Sequence, residues 1–138
     1  MKFMILVKAT RDSEAGVMPS EALLAEMGKY HEELMKAGIL VDASGLKPTS
    51  QGWRVRYGKN GSRSVVDGPF AETKELVAGY TIIDVRSREE ALAWSKRFPA
   101  PFHGMECEIE VRPYFELEDF GKSEAVERFH EMQKEMQK

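Results

Sequence analysis

The sequence is organised around one rigid turn, Asp67–Phe70 (Asp-Gly-Pro-Phe), which lies between two stretches with the composition of strands. Glycine adopts backbone angles that are closed to other residues, and proline fixes its own φ and keeps the preceding residue out of the helical region. The shape of the turn is therefore largely set by its sequence. We expect the Asp67 carboxylate to accept hydrogen bonds from backbone N–H groups one or two residues on, and the Phe70 ring to pack among apolar side chains.

Apolar periodicity on both sides of the turn predicts four strands and two helices. Ser20 and Ser87 are suited to cap the helices, which we expect to end near Gly38 and before Pro99. The strands are predicted at 2–8, 39–46, 76–85 and 107–111. The order strand, helix, strand, strand, helix, strand is the split βαβ plan. We therefore predict an α+β, ferredoxin-like fold in which both helices cover one face of an antiparallel sheet.

Two further elements are added to this core. A β-hairpin is predicted at 53–66, where Trp53, Val55 and Tyr57 alternate with arginines before the turn 59–61. Ser123 is suited to cap a last amphipathic helix, which has its apolar stripe at Ala125, Phe129, Met132 and Met136. Loops are expected at 9–19, 47–52 and 100–105, and a linker at 115–122. We divide the chain into a domain, 1–120, and a C-terminal helix, 121–138.

The second face of the predicted sheet has no helix of the core to cover it. Its apolar side chains need another cover, and a second subunit supplies one most simply. The alternative is that the C-terminal helix covers part of this face, because its apolar stripe must also pack on something. We predict a homodimer.

Composition limits the classes of function. The 138 residues fit one domain, and 42% hydrophobic and 31% charged residues are ordinary for a soluble globular protein. A net charge of −3 argues against sequence-independent nucleic-acid binding, which needs a basic surface. The apolar opening, 1–7, is too short for a membrane span, and Cys107 is the only cysteine, so no internal disulfide forms. We expect a cytoplasmic protein with no membrane contact.

One histidine is a candidate for acid–base chemistry. His31 lies at the flank of the apolar stripe of the first helix, where it either hydrogen-bonds to backbone or pairs with an aspartate. A carboxylate beside the imidazole would fix its tautomer and raise its pKa, and Asp67 and Asp42 are the possible partners. His103, His130 and Cys107 are too scattered to match a metal spacing, and no phosphate loop or dinucleotide motif is present. We predict no metal and no cofactor.

Several side chains near the central turn are candidates for ligand binding. Arg54 shares one hairpin face with Arg56, and the two would clamp a carboxylate or else discourage aggregation at a sheet edge. Lys74 belongs to a charge cluster with Glu72 and Glu75, which either neutralises itself in solvent or orients a substrate. The aromatic candidates for shaping a pocket are Phe70, Trp53 and Tyr80.

The run VVDGPFAETKELVAGY at 65–80, with Arg112–Pro113 and Asp119–Phe120 further on, resembles the signature of the YCII-related, or DGPF, domain family. The resemblance implies a dimer in which two sheets pair as an α+β barrel. It also implies an acid–base pair of an aspartate with a histidine of the first helix, here His31 with Asp67 or Asp42. Members with the DGPF motif often have asparagine at the position of His31, and the family commonly has glutamate where this chain has Ser44.

Two functions follow from these observations. The first is a small lyase or isomerase that moves a proton on a small organic substrate, with Asp67 and His31 as acid and base. The second is a noncatalytic ligand-binding or regulatory module, since the resemblance implies an association with extracytoplasmic-function sigma factors. Both functions are compatible with a small-molecule ligand.

Overall fold

The computed structural model describes all residues from Met1 to Lys138. It is a mixed α+β protein with six strands and four helices. The strands are β1 (Lys2–Lys8), β2 (Leu40–Gly45), β3 (Trp53–Tyr57), β4 (Arg63–Asp67), β5 (Val77–Asp84) and β6 (Ile109–Pro113). The helices are α1 (Arg11–Glu14), α2 (Glu21–Lys36), α3 (Arg88–Lys96) and α4 (Glu124–Met136). Short 3₁₀ turns lie at Thr49–Gln51, Thr73–Glu75 and Leu117–Phe120.

The main sheet has four antiparallel strands in the order β2-β5-β1-β6. The first strand of the chain therefore lies in the interior of the sheet, between the third and fourth strands of the core, as in the ferredoxin-like plan. The register pairs Ile5 with Thr81 on one side and with Val111 on the other. The prediction of a ferredoxin-like α+β core is confirmed at this level.

The hydrophobic core lies between this sheet and the helices α2 and α3. Because side chains alternate across a strand, one face of β1 and β5 presents Phe3, Ile5 and Ile83 to the helices. Helix α2 contributes Tyr30 and Leu34 to the same cluster. Helix α3 adds the buried Ala91, with Trp94 and Phe98 packed at the margin of the cluster.

The three predicted N-caps are confirmed. The hydroxyls of Ser20, Ser87 and Ser123 each accept a hydrogen bond from the backbone N–H three residues on, at 3.2, 3.1 and 3.2 Å. The strands β1 and β5 also lie where the periodicity placed them. The predicted loop 9–19 is wrong in part, because Thr10 and Ser13 form a reciprocal capping box that starts the one-turn helix α1.

The last strand and the linker also differ from the prediction. Strand β6 begins at Ile109 rather than at Cys107, and the predicted linker 115–122 contains the 3₁₀ turn Leu117–Phe120. Helix α4 buries Val126 but leaves Phe129, Met132 and Met136 exposed at 54%, 49% and 84%. The apolar stripe of α4 is therefore not used to cover the main sheet.

The strands β3 and β4 form a separate two-stranded antiparallel sheet. Its register pairs Trp53 with Asp67, Val55 with Val65 and Tyr57 with Arg63. The hairpin delivers the chain directly into the central turn, because Asp67 is the last residue of β4. None of the four helices is both long and apolar enough to cross a membrane.

Candidate functional site

The central turn is docked against the 3₁₀ turn Thr49–Gln51. The backbone N–H of Gly68 donates to the carbonyl of Gly52 at 3.0 Å, and the N–H of Phe70 donates to the Thr49 hydroxyl at 3.1 Å. A Cβ on Gly68 would lie 1.8 Å from the Thr49 carbonyl oxygen, so only glycine allows this approach. The glycine of the motif is thus required for close backbone packing.

A carboxylate that lies 35 residues earlier in the chain holds the same threonine. Glu14, the last residue of α1, accepts hydrogen bonds from the Thr49 N–H and hydroxyl, both at 2.8 Å. The Thr49 hydroxyl therefore donates its one hydrogen to Glu14 and accepts a hydrogen bond from the Phe70 N–H. No local pattern in the sequence points to Glu14 or Thr49, because the contact between them spans 35 residues.

The ring of Phe70 lies under a guanidinium group. The guanidinium carbon of Arg54 is 3.7 Å from the centroid of the Phe70 ring, which is a cation–π contact. Phe70 is half-buried and is not part of the hydrophobic core, so the prediction that its ring packs among apolar side chains is wrong. The reason is that β3 places Arg54 over the ring, and the stem and head of the arginine provide the cover instead.

Arg54 has no carboxylate partner. It takes part in none of the ion pairs of the structure, and neither do Arg56 and Lys74. Stacking covers one face of the Arg54 guanidinium, but its N–H groups point outward in the plane of the group. Arg54 is therefore a positioned cation whose hydrogen-bond donors are free.

Asp67 is exposed, and its carboxylate accepts no hydrogen bond and forms no ion pair. The prediction that it accepts hydrogen bonds within the turn is wrong, because the N–H groups of Gly68 and Phe70 are taken by Gly52 and Thr49. Its cross-strand neighbour Trp53 is 66% exposed. The Asp67 carboxylate is therefore available to a ligand or to a partner.

His31 is held between α2 and the sheet by both ring nitrogens. Nδ1 lies 2.7 Å from the Met27 carbonyl oxygen, and Nε2 lies 2.8 Å from the hydroxyl of Thr81, which is buried. A carbonyl oxygen only accepts, so Nδ1 carries a hydrogen, and in the neutral ring Nε2 then accepts from Thr81. The structure brings His31 into hydrogen-bond contact with neither Asp67 nor Asp42.

The remaining candidates lie on the face of the main sheet opposite the helices. The Tyr80 hydroxyl donates to the Asp42 carboxylate at 3.0 Å, and Ser44 lies directly across from Tyr80 on β2. Burial, together with the nearby Tyr80 and Asp42, raises the pKa of Tyr114 above its usual value. His31 contacts Thr81, and successive residues of β5 alternate between the two faces of the sheet. Tyr80 therefore lies on the opposite side of the sheet from His31.

The other histidines and the cysteine are dispersed. His103 lies 3.1 Å from Glu26 at the surface, and the Cys107 thiol lies 3.7 Å from the Phe102 carbonyl oxygen. No three histidine, cysteine, aspartate or glutamate side chains lie together as a set of metal ligands would. The chemistry available around the central turn is thus that of cations, an exposed carboxylate and aromatic rings.

Comparison with known proteins places this chain in a family. An uncharacterised protein, R00369 from Rhizobium meliloti (strain 1021), is 34% identical over 76 residues, which are 55% of this chain and 60% of that protein. A solved structure of 5-chloro-2-hydroxyhydroquinone dehydrochlorinase, TftG, from Burkholderia phenoliruptrix AC1100 in complex with 2,5-dihydroxybenzoquinone is 16% identical. The structural match spans 83% of this chain and 94% of the TftG chain, with a TM-score of 0.45. The model of the YCII-related domain matches residues 1–115, so the chain belongs to the YCII-related family.

Proposed function

We propose that this protein binds a small organic anion beside the central turn, with Arg54 as the anchor for its carboxylate. The observation that carries the proposal is that the Arg54 guanidinium stacks on the Phe70 ring and has no carboxylate partner. Its carbon lies 3.7 Å from the centroid of the ring. Stacked arginine keeps its in-plane donors, and two of these match the two oxygens of a carboxylate. An aromatic acid is the ligand class that we propose, since the Phe70 ring offers an aromatic surface beside the arginine anchor.

The site is organised before any ligand arrives. The position of Phe70 is fixed by its N–H bond to Thr49, and Thr49 is held in turn by the Glu14 carboxylate. A ligand that meets a positioned arginine loses less free energy to side-chain ordering than one that must organise a free surface arginine. This preorganisation supports a binding role for the turn rather than a purely mechanical one.

Benzoate is a suitable probe for the anchor. In calorimetric titrations, Arg54→Gln should weaken benzoate binding by about tenfold or more, because a charge-assisted bidentate contact is lost. Arg56→Gln is the matched control, since Arg56 lies on the same hairpin face but stacks on no ring. Equal losses in the two variants would show that benzoate responds to the net charge of the hairpin and not to the stacked arginine.

Acid–base chemistry remains the second hypothesis for the same ligand. Asp67 supports it, because its carboxylate is exposed and unpaired and can accept a proton from a bound molecule. His31 supports it less directly, since Nε2 faces Thr81 and must leave that hydrogen bond to act on a substrate. If the two act together, Asp67→Asn and His31→Gln should each abolish turnover. A noncatalytic module associated with sigma factors would bind the anion in both variants and never convert it.

We also infer that two copies pair through the open face of the main sheet, as an α+β barrel. This face carries the half-buried side chains Met4, Leu6, Tyr80 and Ile82, and no helix of the chain lies on it. Half-exposed apolar side chains in a continuous patch are typical of an association surface. In such a dimer the Tyr80–Asp42 pair would lie inside the interface.

A further inference from the structure

One face of the β3–β4 hairpin is apolar and exposed. Side-chain alternation and the observed register place Trp53, Val55, Tyr57 and Val65 on this face, and their exposures are 66%, 40%, 69% and 66%. The opposite face carries Arg54, which packs on Phe70. The hairpin therefore docks on its own domain through the arginine side and leaves its apolar side without a partner.

Helix α4 presents a second apolar surface without a partner. Phe129, Met132 and Met136 recur at the spacing that keeps side chains on one helix face, and all three are exposed. Val126, one turn before Phe129 and beside it on the helix surface, is buried above the 3₁₀ turn Leu117–Phe120. Beyond Val126, the stripe of α4 is thus about half or more exposed to solvent and has no partner in its own chain.

The two segments that carry these surfaces have opposite net charge, with Arg63 on the apolar face of the hairpin, Lys59 in its turn, and Arg54 and Arg56 on its other face. The hairpin, 53–67, has four cations and one carboxylate, whereas 116–136 has seven carboxylates and three cations. None of the four hairpin cations forms an ion pair within the chain. Complementary charge at the rim of two apolar patches favours their encounter and sets their orientation.

We propose that the apolar face of the hairpin docks on the stripe of α4 of a second copy of this chain. In a two-fold dimer the contact is made twice, because each copy offers one hairpin and one α4. Two such contacts bury on the order of 1,500 Å² of surface if all seven apolar side chains become covered, which is the size of a stable interface. The contact is separate from the open face of the main sheet and does not require it.

The contact has a consequence for the central turn. Trp53 and Asp67 are cross-strand neighbours on the apolar side of the hairpin. Helix α4 of the second copy would therefore close over the Asp67 side of the turn. The Asp67 side of the turn, opposite the Arg54 anchor, would then be bordered by both copies.

Disulfide trapping between two single-cysteine variants tests this contact. Cys107→Ser removes the native thiol, and Val65→Cys and Phe129→Cys are then made separately and mixed, with a size tag on one of them. Under mild oxidation the tagged mixture should give the mixed dimer in clear excess over both like dimers. Ser64→Cys is the matched control, because Ser64 neighbours Val65 but lies on the opposite hairpin face, and it should not trap with Phe129→Cys.

Sedimentation gives an independent measurement. Met132→Glu should weaken self-association by about tenfold or more, whereas Lys134→Glu, which places the same carboxylate on the other side of α4, should leave it unchanged. Equal trapping by Val65→Cys and Ser64→Cys, or no effect of Met132→Glu, would overturn the proposal. So would a disulfide formed within one chain by the double variant Val65→Cys/Phe129→Cys, since the stripe would then belong to its own hairpin.

Discussion

At the scale of single residues, Thr49 accounts for how the central turn is held. Its hydroxyl and N–H connect three segments that are far apart in the chain: α1 through Glu14, the 3₁₀ turn that contains Thr49, and the central turn through Phe70. The turn is therefore fixed by tertiary hydrogen bonds and not only by glycine and proline. This is also why the Asp67 carboxylate stays free.

The first prediction concerns this hydroxyl. Thr49→Val keeps the shape of the side chain but leaves the Phe70 N–H without its partner and the Glu14 carboxylate with one donor fewer. We expect a loss of about 1–3 kcal/mol in the free energy of unfolding, measured by urea denaturation. Thr49→Ser retains the hydroxyl and should lose about 1 kcal/mol or less, through the missing methyl group. Equal losses in the two variants would show that packing and not hydrogen bonding holds the turn.

The sequence near the central turn predicts the turn itself but not the contacts of its side chains. The motif Asp-Gly-Pro-Phe indicates that glycine is needed at position 68, and the structure gives the reason, which is a close backbone contact with Thr49. The environment of Phe70 could not be predicted, because an arginine sixteen positions earlier covers its ring. The same holds for Asp67, whose expected donors are taken by groups of another segment. Local chemistry predicts a turn, whereas its partners depend on the folded chain.

At the scale of elements, α2 and α3 are joined by a buried polar contact as well as by apolar packing. The Tyr30 hydroxyl of α2 donates to the Trp94 carbonyl of α3 at 2.6 Å, and the Tyr30 ring makes edge contacts with Trp94 and Phe98. Burial raises the pKa of Tyr30 to about 12, with the nearby Glu33 adding to the effect and Arg97 opposing it. The neutral phenol is thus part of the helix–helix contact.

The second prediction follows from the sign of this shift. The folded pKa of about 12 lies above the ordinary value of 10.0, so the stabilisation is complete below pH 10 and is lost as the pH rises toward 12. Over this interval we expect Tyr30 to account for a loss of about 2 kcal/mol in unfolding free energy. Urea denaturation at successive pH values measures it.

Two variants isolate the contribution of Tyr30. Tyr30→Phe should be about 1 kcal/mol less stable than the wild type near pH 8, because the hydrogen bond to Trp94 is lost, and should show a weaker decline above pH 10. Tyr57→Phe removes a hydroxyl from a ring that is 69% exposed, and should decline as the wild type does. Parallel declines in all three proteins would contradict the assignment.

Element prediction succeeded where the physical signal is local. Caps, helical spacing and glycine or proline stops lie within one element, so α2, α3 and α4 and the strands β1 and β5 were predicted within a residue or two of their bounds. Helix α1 was missed because one turn of helix carries no periodicity, and its capping box uses serine where glutamate or glutamine is usual. The exposure of the α4 stripe could not be predicted, since amphipathic spacing indicates a partner without saying where it is.

At the scale of the whole molecule, the main sheet is asymmetric. Helices α2 and α3 cover the centre of one face, where Ile5, Ile83 and Leu34 are inaccessible to solvent. On the other face the apolar side chains of β1 and β5 are only half-buried and lie among the Asp42–Tyr80 and Lys8–Glu110 pairs. A fold with one layer of helices on one sheet leaves this face to be covered by another molecule.

The last prediction is that the protein is a dimer at micromolar concentration and that the open face of the main sheet is essential to it. Leu6 lies near the centre of this face, opposite Tyr80 and Glu110. Leu6→Gln should shift sedimentation toward the monomer, because burying an amide without partners in the interface costs about 1–3 kcal/mol at each of the two copies. Leu92→Gln is the same change at a leucine of α3 that is 48% exposed, and this variant should remain a dimer. The folded monomer of Leu6→Gln should retain native circular dichroism, since Leu6 is outside the core between sheet and helices. A wild type that sediments as a monomer, or a Leu6→Gln variant that dimerises as tightly as Leu92→Gln, would show that this face is covered in some other way.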